Sequence, residues 1–234
     1  MIIEFKNVSK IYKLEKRTAL EDVNFKVDEG EFVSLIGPSG EGKTTVLKII
    51  SGIEEPTKGS VVKPKSVSMV FQTIALFPWL DVFENVAIGL RSKKLSEQEI
   101  EKIVLHYLEM VKMKNSIYSR PADLSGGQKQ RIGIARALAV EPQVLLLDEP
   151  FSALDPKTTA ELHDDILEIW KATGKTIVMV SHLIEEAVSL AQRILLIKKY
   201  KLDNIFNVDF PYPRREQEER FIHEVSKIRK EFFK

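Results

Sequence analysis

The chain has 234 residues, of which 44% are hydrophobic and 29% charged, a composition that can bury one sizeable core. Its 35 Lys and Arg balance 34 Asp and Glu to a formal charge of +1, which argues against nucleic-acid binding or recruitment to an anionic membrane and makes any anion site local. Cysteine is absent, so disulfide frameworks and thiolate metal centres are excluded.

The opening "MIIEFKNVSK" carries charges where a secretion signal needs an apolar core. Alternating apolar residues in "IIEFKNV", "VNFKV" and "EFVSLI" predict three strands, with Gly30 turning between the second and third. Further strands are expected at 59–63, 67–71, 143–148, 176–181 and 193–197, and helices at 43–51, 97–112, 127–139, 157–172 and 184–191. This alternation predicts an α/β domain around a mainly parallel sheet. Residues 73–125 break it and read as an inserted helical subdomain, leaving 1–72 and 126–197 as the core of a single domain over 1–234. In the tail, 198–234, prolines punctuate "VDFPYPRR", and Phe221, Val225, Ile228 and Phe232 then recur at helical spacing, as in a helix packed on its own domain. The tail is too short for a further domain. No apolar run approaches the roughly 20 residues that cross a bilayer.

"LIGPSGEGKTT" follows a predicted strand and opens a predicted helix, with Gly37, Gly42, Lys43 and Thr44 in the spacing G-x-x-x-x-G-K-[ST]. Such a loop turns its N–H groups toward phosphate oxygens, and the following helix aims its positive end at them. Gly37, Pro38, Ser39, Gly40, Glu41, Gly42, Lys43, Thr44 and Thr45 are therefore candidate nucleotide-phosphate-binding residues, with Lys43 on the β- and γ-phosphates and the Thr44 hydroxyl on Mg²⁺. About a hundred residues later, "VLLLDEP" reads as a buried parallel strand ending in two acids. At the carboxyl end of such a strand Asp148 can hold Mg²⁺ through water, and Glu149 is placed to polarise an attacking water.

Together with Gln72 in "MVFQ", "LSGGQ" at 124–128, "SALD" at 152–155 and His182 in "VSH", these motifs stand in the order and rough spacing of ATP-binding cassette (ABC) ATPases. The chain resembles that family over essentially residues 1–197. The resemblance implies a P-loop NTPase core with an N-terminal antiparallel β subdomain and a helical insertion. It also implies ATP and Mg²⁺ as cofactors and ATP hydrolysis as the reaction. Leu124, Ser125, Gly126, Gly127 and Gln128 would then close on the ATP of a second copy, with the glycines letting backbone N–H groups approach its γ-phosphate. Ser152, Ala153, Leu154 and Asp155 would lie at the interface of that head-to-tail homodimer. Gln72 resembles the residue that senses Mg²⁺ and water, His182 the switch histidine on the γ-phosphate, and Tyr12 the aromatic that stacks on adenine, although packing would also explain Tyr12.

Two positions depart from the family pattern. Leu183 replaces the acid that usually follows the switch histidine, which puts the geometry of that loop in doubt. "KKYKLDN" at 198–204 lacks the Pro–Gly turn of close relatives, so a sharp turn there is not assured. Within the family, "LFPWLDVFENVAIGL" at 76–90 and the "VDFPYPRR" tail look like the nitrate/sulfonate/taurine importer group. That likeness implies a peripheral subunit at the cytoplasmic face of the membrane, partnered by integral permeases and indirectly by an extracytoplasmic binding protein. Leu76, Phe77, Pro78, Trp79 and Leu80 fit a docking cluster, with a place in the subdomain core as the alternative for Phe77 and Trp79. A soluble ABC ATPase uncoupled from transport is the alternative, and the cargo is not encoded in this chain.

Overall fold

A computed structural model describes residues 1–12 and 17–234. Two sheets organise the chain. Strands β1 (Ile3–Tyr12), β2 (Arg17–Val27) and β4 (Lys58–Val62) form an antiparallel sheet in the order β2-β1-β4. Strands β3 (Phe32–Ile36), β5 (Val67–Val70), β6 (Val144–Asp148), β7 (Thr176–Val180), β8 (Arg193–Lys198) and β9 (Lys201–Asn207) form the second, in the order β5-β6-β7-β3-β8-β9. All neighbours in it are parallel except the β8–β9 hairpin.

Every residue of β3, β6 and β7 is buried, as expected of central parallel strands covered on both faces. The period-2 pleat divides their side chains between two cores. Val33, Leu35, Val144, Leu146, Val178 and Val180 face the antiparallel sheet and α1 (Lys43–Ile50). Phe32, Ile36, Leu145, Leu147, Ile177 and Met179 face the other helices. Those are α2 (Val82–Ala87), α3 (Glu97–Met110), α4 (Gly126–Ala139), α5 (Pro156–Thr173), α6 (Ile184–Leu190) and α7 (Glu218–Phe232). Strands β5 and β6 are adjacent in the sheet, yet α2, α3 and α4 intervene between them in sequence. Helices α2 and α3 rest on α4.

Two elements escape the sequence pattern. Helix α2 has six residues, too few to display a helical period, and forms because Asp81 caps its N-terminus and Val82 and Val86 are buried. Strand β9 is an edge strand with Lys, Asp and Asn among its seven residues and only Phe206 buried, so its composition does not announce a strand.

The turn before β9 is sharp despite lacking Pro–Gly. Lys199 (φ 50°) and Tyr200 (φ 66°) both adopt the left-handed conformation of a two-residue hairpin turn. The Lys199 N–H donates to the Glu41 carboxylate and the Tyr200 carbonyl accepts from the Glu21 N–H, so the turn is held by the phosphate loop on one side and β2 on the other. The tail helix packs on its own domain as expected, with Val225 and Ile228 buried and Phe221 and Phe232 partly so.

Because non-glycine residues are disfavoured in that conformation, replacing Lys199 by Asn and Tyr200 by Gly should stabilise the hairpin by about 1 kcal/mol. In a chain of this size that raises the thermal midpoint by roughly 2–4 °C. A lower midpoint would mean that the two side chains, rather than the backbone, hold the turn.

Candidate functional site

The loop between β3 and α1 is shaped by glycines at two close approaches. A Cβ on Gly37 (φ 150°) would lie 1.9 Å from the Ile197 carbonyl oxygen of β8, and one on Gly42 (φ 96°) 2.0 Å from the Ala19 carbonyl oxygen of β2. Only glycine lets the loop pass between these strands. Among the described residues nothing accepts from the N–H groups of Gly40, Glu41, Gly42, Lys43 and Thr44. Lys43 is 4% exposed, and its ammonium donates to the carbonyls of Gly37 and Pro38 at 2.7 and 2.8 Å. Burial pulls its pKa down, opposed by Glu149, Glu41 and Asp148. A concave row of donors around a buried cation is an anion site.

The carboxyl end of β6 meets this loop across β7. The Thr44 hydroxyl donates to Asp148 Oδ1 at 3.0 Å. Asp148 is 7% exposed, and burial raises its pKa against the lowering effect of the Thr44 hydrogen bond. One hydroxyl and one carboxylate oxygen, side by side at a phosphate loop, match the few protein oxygens that Mg²⁺ takes when substrate phosphates and water supply the rest. Among the described residues no group of three or more His, Asp or Glu side chains could hold a metal unaided.

Glu149 sits at φ 46°, and its Oε2 accepts from Gln72 Nε2 at 3.2 Å and lies 3.4 Å from His182 Nδ1. A non-glycine residue in the left-handed region at a cluster of functional groups is where strain is commonly kept. Three expected catalytic residues are thus brought together by the ends of β5, β6 and β7. The loop after β7 is ordered without an acid at Leu183. The Ser181 hydroxyl accepts from the Leu183 N–H at 2.9 Å and donates to Glu186, a buried carboxylate whose pKa burial raises. Sequence reasoning missed Ser181 and Glu186. Their signal is a carboxylate on the inward face of a short helix, visible only once that helix is placed.

"LSGGQ" opens α4. The Ser125 hydroxyl accepts from the Gln128 N–H at 3.3 Å and Gln128 Oε1 accepts from the Ser125 N–H at 2.9 Å, a reciprocal capping box. Gly127 has a further role: a Cβ there would stand 2.4 Å from Thr158 Cγ2 of α5. Its lack of a side chain is thus required by helix packing within the chain, whatever approaches from outside. The Thr158 hydroxyl in turn donates to Asp155 at 2.6 Å, and Asp155, exposed, caps α5 through the N–H groups of Lys157 and Thr158. Leu154 lies against Gly126. The segments 124–128 and 152–155 therefore form one surface. Among the described residues no hydrogen bond or ion pair joins 124–128 to the phosphate loop.

Trp79 is 68% exposed and Phe77 is half-buried beneath it, their rings 5.5 Å apart. The loop that carries them is tied down by hydrogen bonds. Buried Asn85 bonds Phe77, Leu80 and Asp81, while Arg136 and Arg120 donate to the carbonyls of Ala75 and Trp79. So Leu76 packs on the core, while Phe77, half-buried between Arg136 and Trp79, and exposed Trp79 belong to the surface side of the loop. The Tyr12 ring has Lys10 and Arg17 each 5.1 Å from its centroid.

A family model described as "ABC transporter" matches residues 20–152. The chain is 42% identical over 209 residues to the spermidine/putrescine import ATP-binding protein PotA of Pasteurella multocida, covering 85% of this chain and 56% of that protein. It is 40% identical over 237 residues to the bicarbonate transport ATP-binding protein CmpD of Synechococcus elongatus, covering 96% of this chain and 84% of that one. The chain thus spans little more than half the length of its polyamine relative. Among solved structures it is similar to the dimeric ATP-binding cassette MJ0796 in a post-hydrolysis state bound to ADP and Pi, with TM-score 0.79, 35% identity, and coverage of 90% of this chain and 100% of that one.

Asp148 binds its proton more tightly folded than unfolded, so its ionised form costs stability at pH 7, and that cost fades as pH falls through the raised pKa. Asp148→Asn keeps an oxygen for Thr44 and should raise the melting midpoint by a few degrees at pH 7, with the gain shrinking toward acid pH. A midpoint lowered at pH 7 would contradict this account of the site.

Proposed function

The chain belongs to the ABC transporter family, and from that premise we propose that it is the ATP-hydrolysing subunit of an importer, working as a head-to-tail homodimer. The observation that carries the reading is the meeting of Lys43, Thr44, Asp148, Gln72, Glu149 and His182 at the carboxyl end of the sheet, while among the described residues no hydrogen bond or ion pair joins them to 124–128 and only Ser152 of the neighbouring segment bonds Gln72 and Glu149. Such a split site is completed by a second copy.

ATP phosphates would take the N–H groups of residues 40–44 and draw Lys43 Nζ from the two carbonyls that occupy it. Thr44 and Asp148, and Gln72 once freed from Glu149, would hold Mg²⁺, which when bound neutralises charge on the phosphates. Glu149 Oε2 takes a proton from the attacking water, a role usually worth about 10²–10⁴-fold. His182, 3.4 Å away, keeps that carboxylate oriented and can reach toward the γ-phosphate. Tyr12 would provide a face for the base by exchanging for it one of the two cations, Lys10 and Arg17, that lie over its ring. Ser125, Gly126 and the N-terminus of α4 would close on the nucleotide of the other copy, with Asp155 alongside. A dimeric cassette holding ADP and Pi in a similar structure supports this reading.

The import role and its membrane permease partners are supported by the relatives' names and by the exposed, hydrogen-bonded Trp79 loop beside Gln72. The chain would sit peripherally at the cytoplasmic face of the membrane and serve an extracytoplasmic binding protein only indirectly. No described helix is long and apolar enough to cross a membrane. We place it in the nitrate/sulfonate/taurine type on the Trp79 loop and the "VDFPYPRR" tail. The bicarbonate relative supports that type, and the polyamine relatives, as similar in identity, support polyamine import as the second reading.

Glu149→Gln should abolish turnover and accumulate an ATP-bound dimer, read as a doubled mass by light scattering at high protein concentration. Adding Ser125→Arg should return the mass to monomer while ATP binding persists. A monomer in the first case, or lost ATP binding in the second, would refute the sandwich.

A further inference from the structure

The tail motif "VDFPYPRR" is fastened to α6, the helix that follows the switch loop. Arg214, buried, donates through its guanidinium to the carbonyls of Val188 and Ala191 at the end of α6 and to those of Val208 and Phe210 in the tail. The Tyr212 hydroxyl donates to the Leu190 carbonyl at 2.7 Å. The last carbonyls of a helix have no partner within it, and here the tail supplies donors to three of them. At the other end of α6, Arg229 of α7 pairs with Glu185.

Arg215 extends the clamp to a second element. Its Nε donates to Ser189 Oγ of α6 at 3.0 Å, and its Nη2 donates to His163 Nδ1 of α5 at 2.6 Å. His163 is buried against the ring of Phe151, centroids 4.3 Å apart, and Phe151 lies two residues beyond Glu149. Accepting at Nδ1 fixes the imidazole as neutral, with its proton on Nε2. Burial and then the Arg215 charge push its pKa down to about 3, so this contact holds across the working pH range.

We propose that Arg215 is a positioning residue for the Glu149–His182 pair, bolting α6, which follows the loop that bears His182, to the His163–Phe151 contact, two residues beyond Glu149 in the chain. The inference rests on the hydrolytic reading of that pair. The tail motif thereby acquires a mechanical role, because the 3.4 Å separation of the two side chains is set from behind by an arginine that touches neither. Arg215 is itself exposed, but its removal takes the Nδ1 partner from buried His163, so the thermal midpoint of Arg215→Met is read alongside its kcat.

The test is a double-mutant cycle in steady-state Mg²⁺-ATPase activity, with wild type, Arg215→Met, His182→Ala and the double variant, alongside ATP binding by the monomer. Arg215→Met should lower kcat about tenfold, as small misplacements of reacting groups do, with KM for ATP and monomer binding unchanged within about twofold. In the His182→Ala background the same substitution should cost nothing further, because its effect acts through the histidine. An unchanged kcat, or losses that multiply, would overturn the positioning role while leaving the hydrolytic reading standing. Absence of ATP hydrolysis by the wild type, or a His182→Ala variant as fast as wild type, would remove the hydrolytic reading and this inference with it.

Discussion

The structure depends on one constraint: the strands that carry chemistry are parallel, so their carboxyl ends meet at one edge of the sheet. β5 delivers Gln72, β6 Asp148 and Glu149, β7 His182, and β3 the phosphate loop, although these residues are spread over more than a hundred positions. The Thr44–Asp148 hydrogen bond expresses the constraint directly, joining two residues 104 apart in sequence across the end of the intervening strand. Neither sheet order nor strand direction can change without taking the site apart.

That arrangement carries groups that local energetics disfavour. Lys43 and Asp148 are buried ionisable groups with pKa values shifted toward their neutral forms, and Glu149 holds a left-handed backbone. None is needed for packing. In the proposed function a polyphosphate would offset the buried Lys43 and a divalent cation the buried Asp148, whereas the backbone of Glu149 stays strained with or without ligand. The two carbonyls on Lys43 and the two donors beside Glu149 meanwhile keep these groups in place.

Much of this was legible in the sequence because phosphate binding imposes fixed spacing: G-x-x-x-x-G-K-T and a strand ending in Asp–Glu specify their own geometry. The central strands were legible because burial on both faces makes them uniformly apolar. Most of what escaped depends on contacts distant in sequence. β9 and its turn are held by Glu41 and Glu21, and the end of α6 by arginines of the tail, whereas the Glu186 bond that orders the switch loop is local and escaped because it needs the inward face of α6 to be known. The second signature glycine is the instructive case, since its pattern suggests access for a nucleotide while its immediate neighbour is Thr158.

The central claim, that the signature surface completes the phosphate site of a second copy, can be tested by cross-linking, because the chain has no cysteine of its own. Ser39→Cys and Ser125→Cys would be combined in one chain and oxidised with and without ATP, turnover being blocked by Glu149→Gln. A covalent dimer should form only with ATP and only when both cysteines are present. A dimer formed equally by either single-cysteine chain, or none with ATP bound, would contradict the claim.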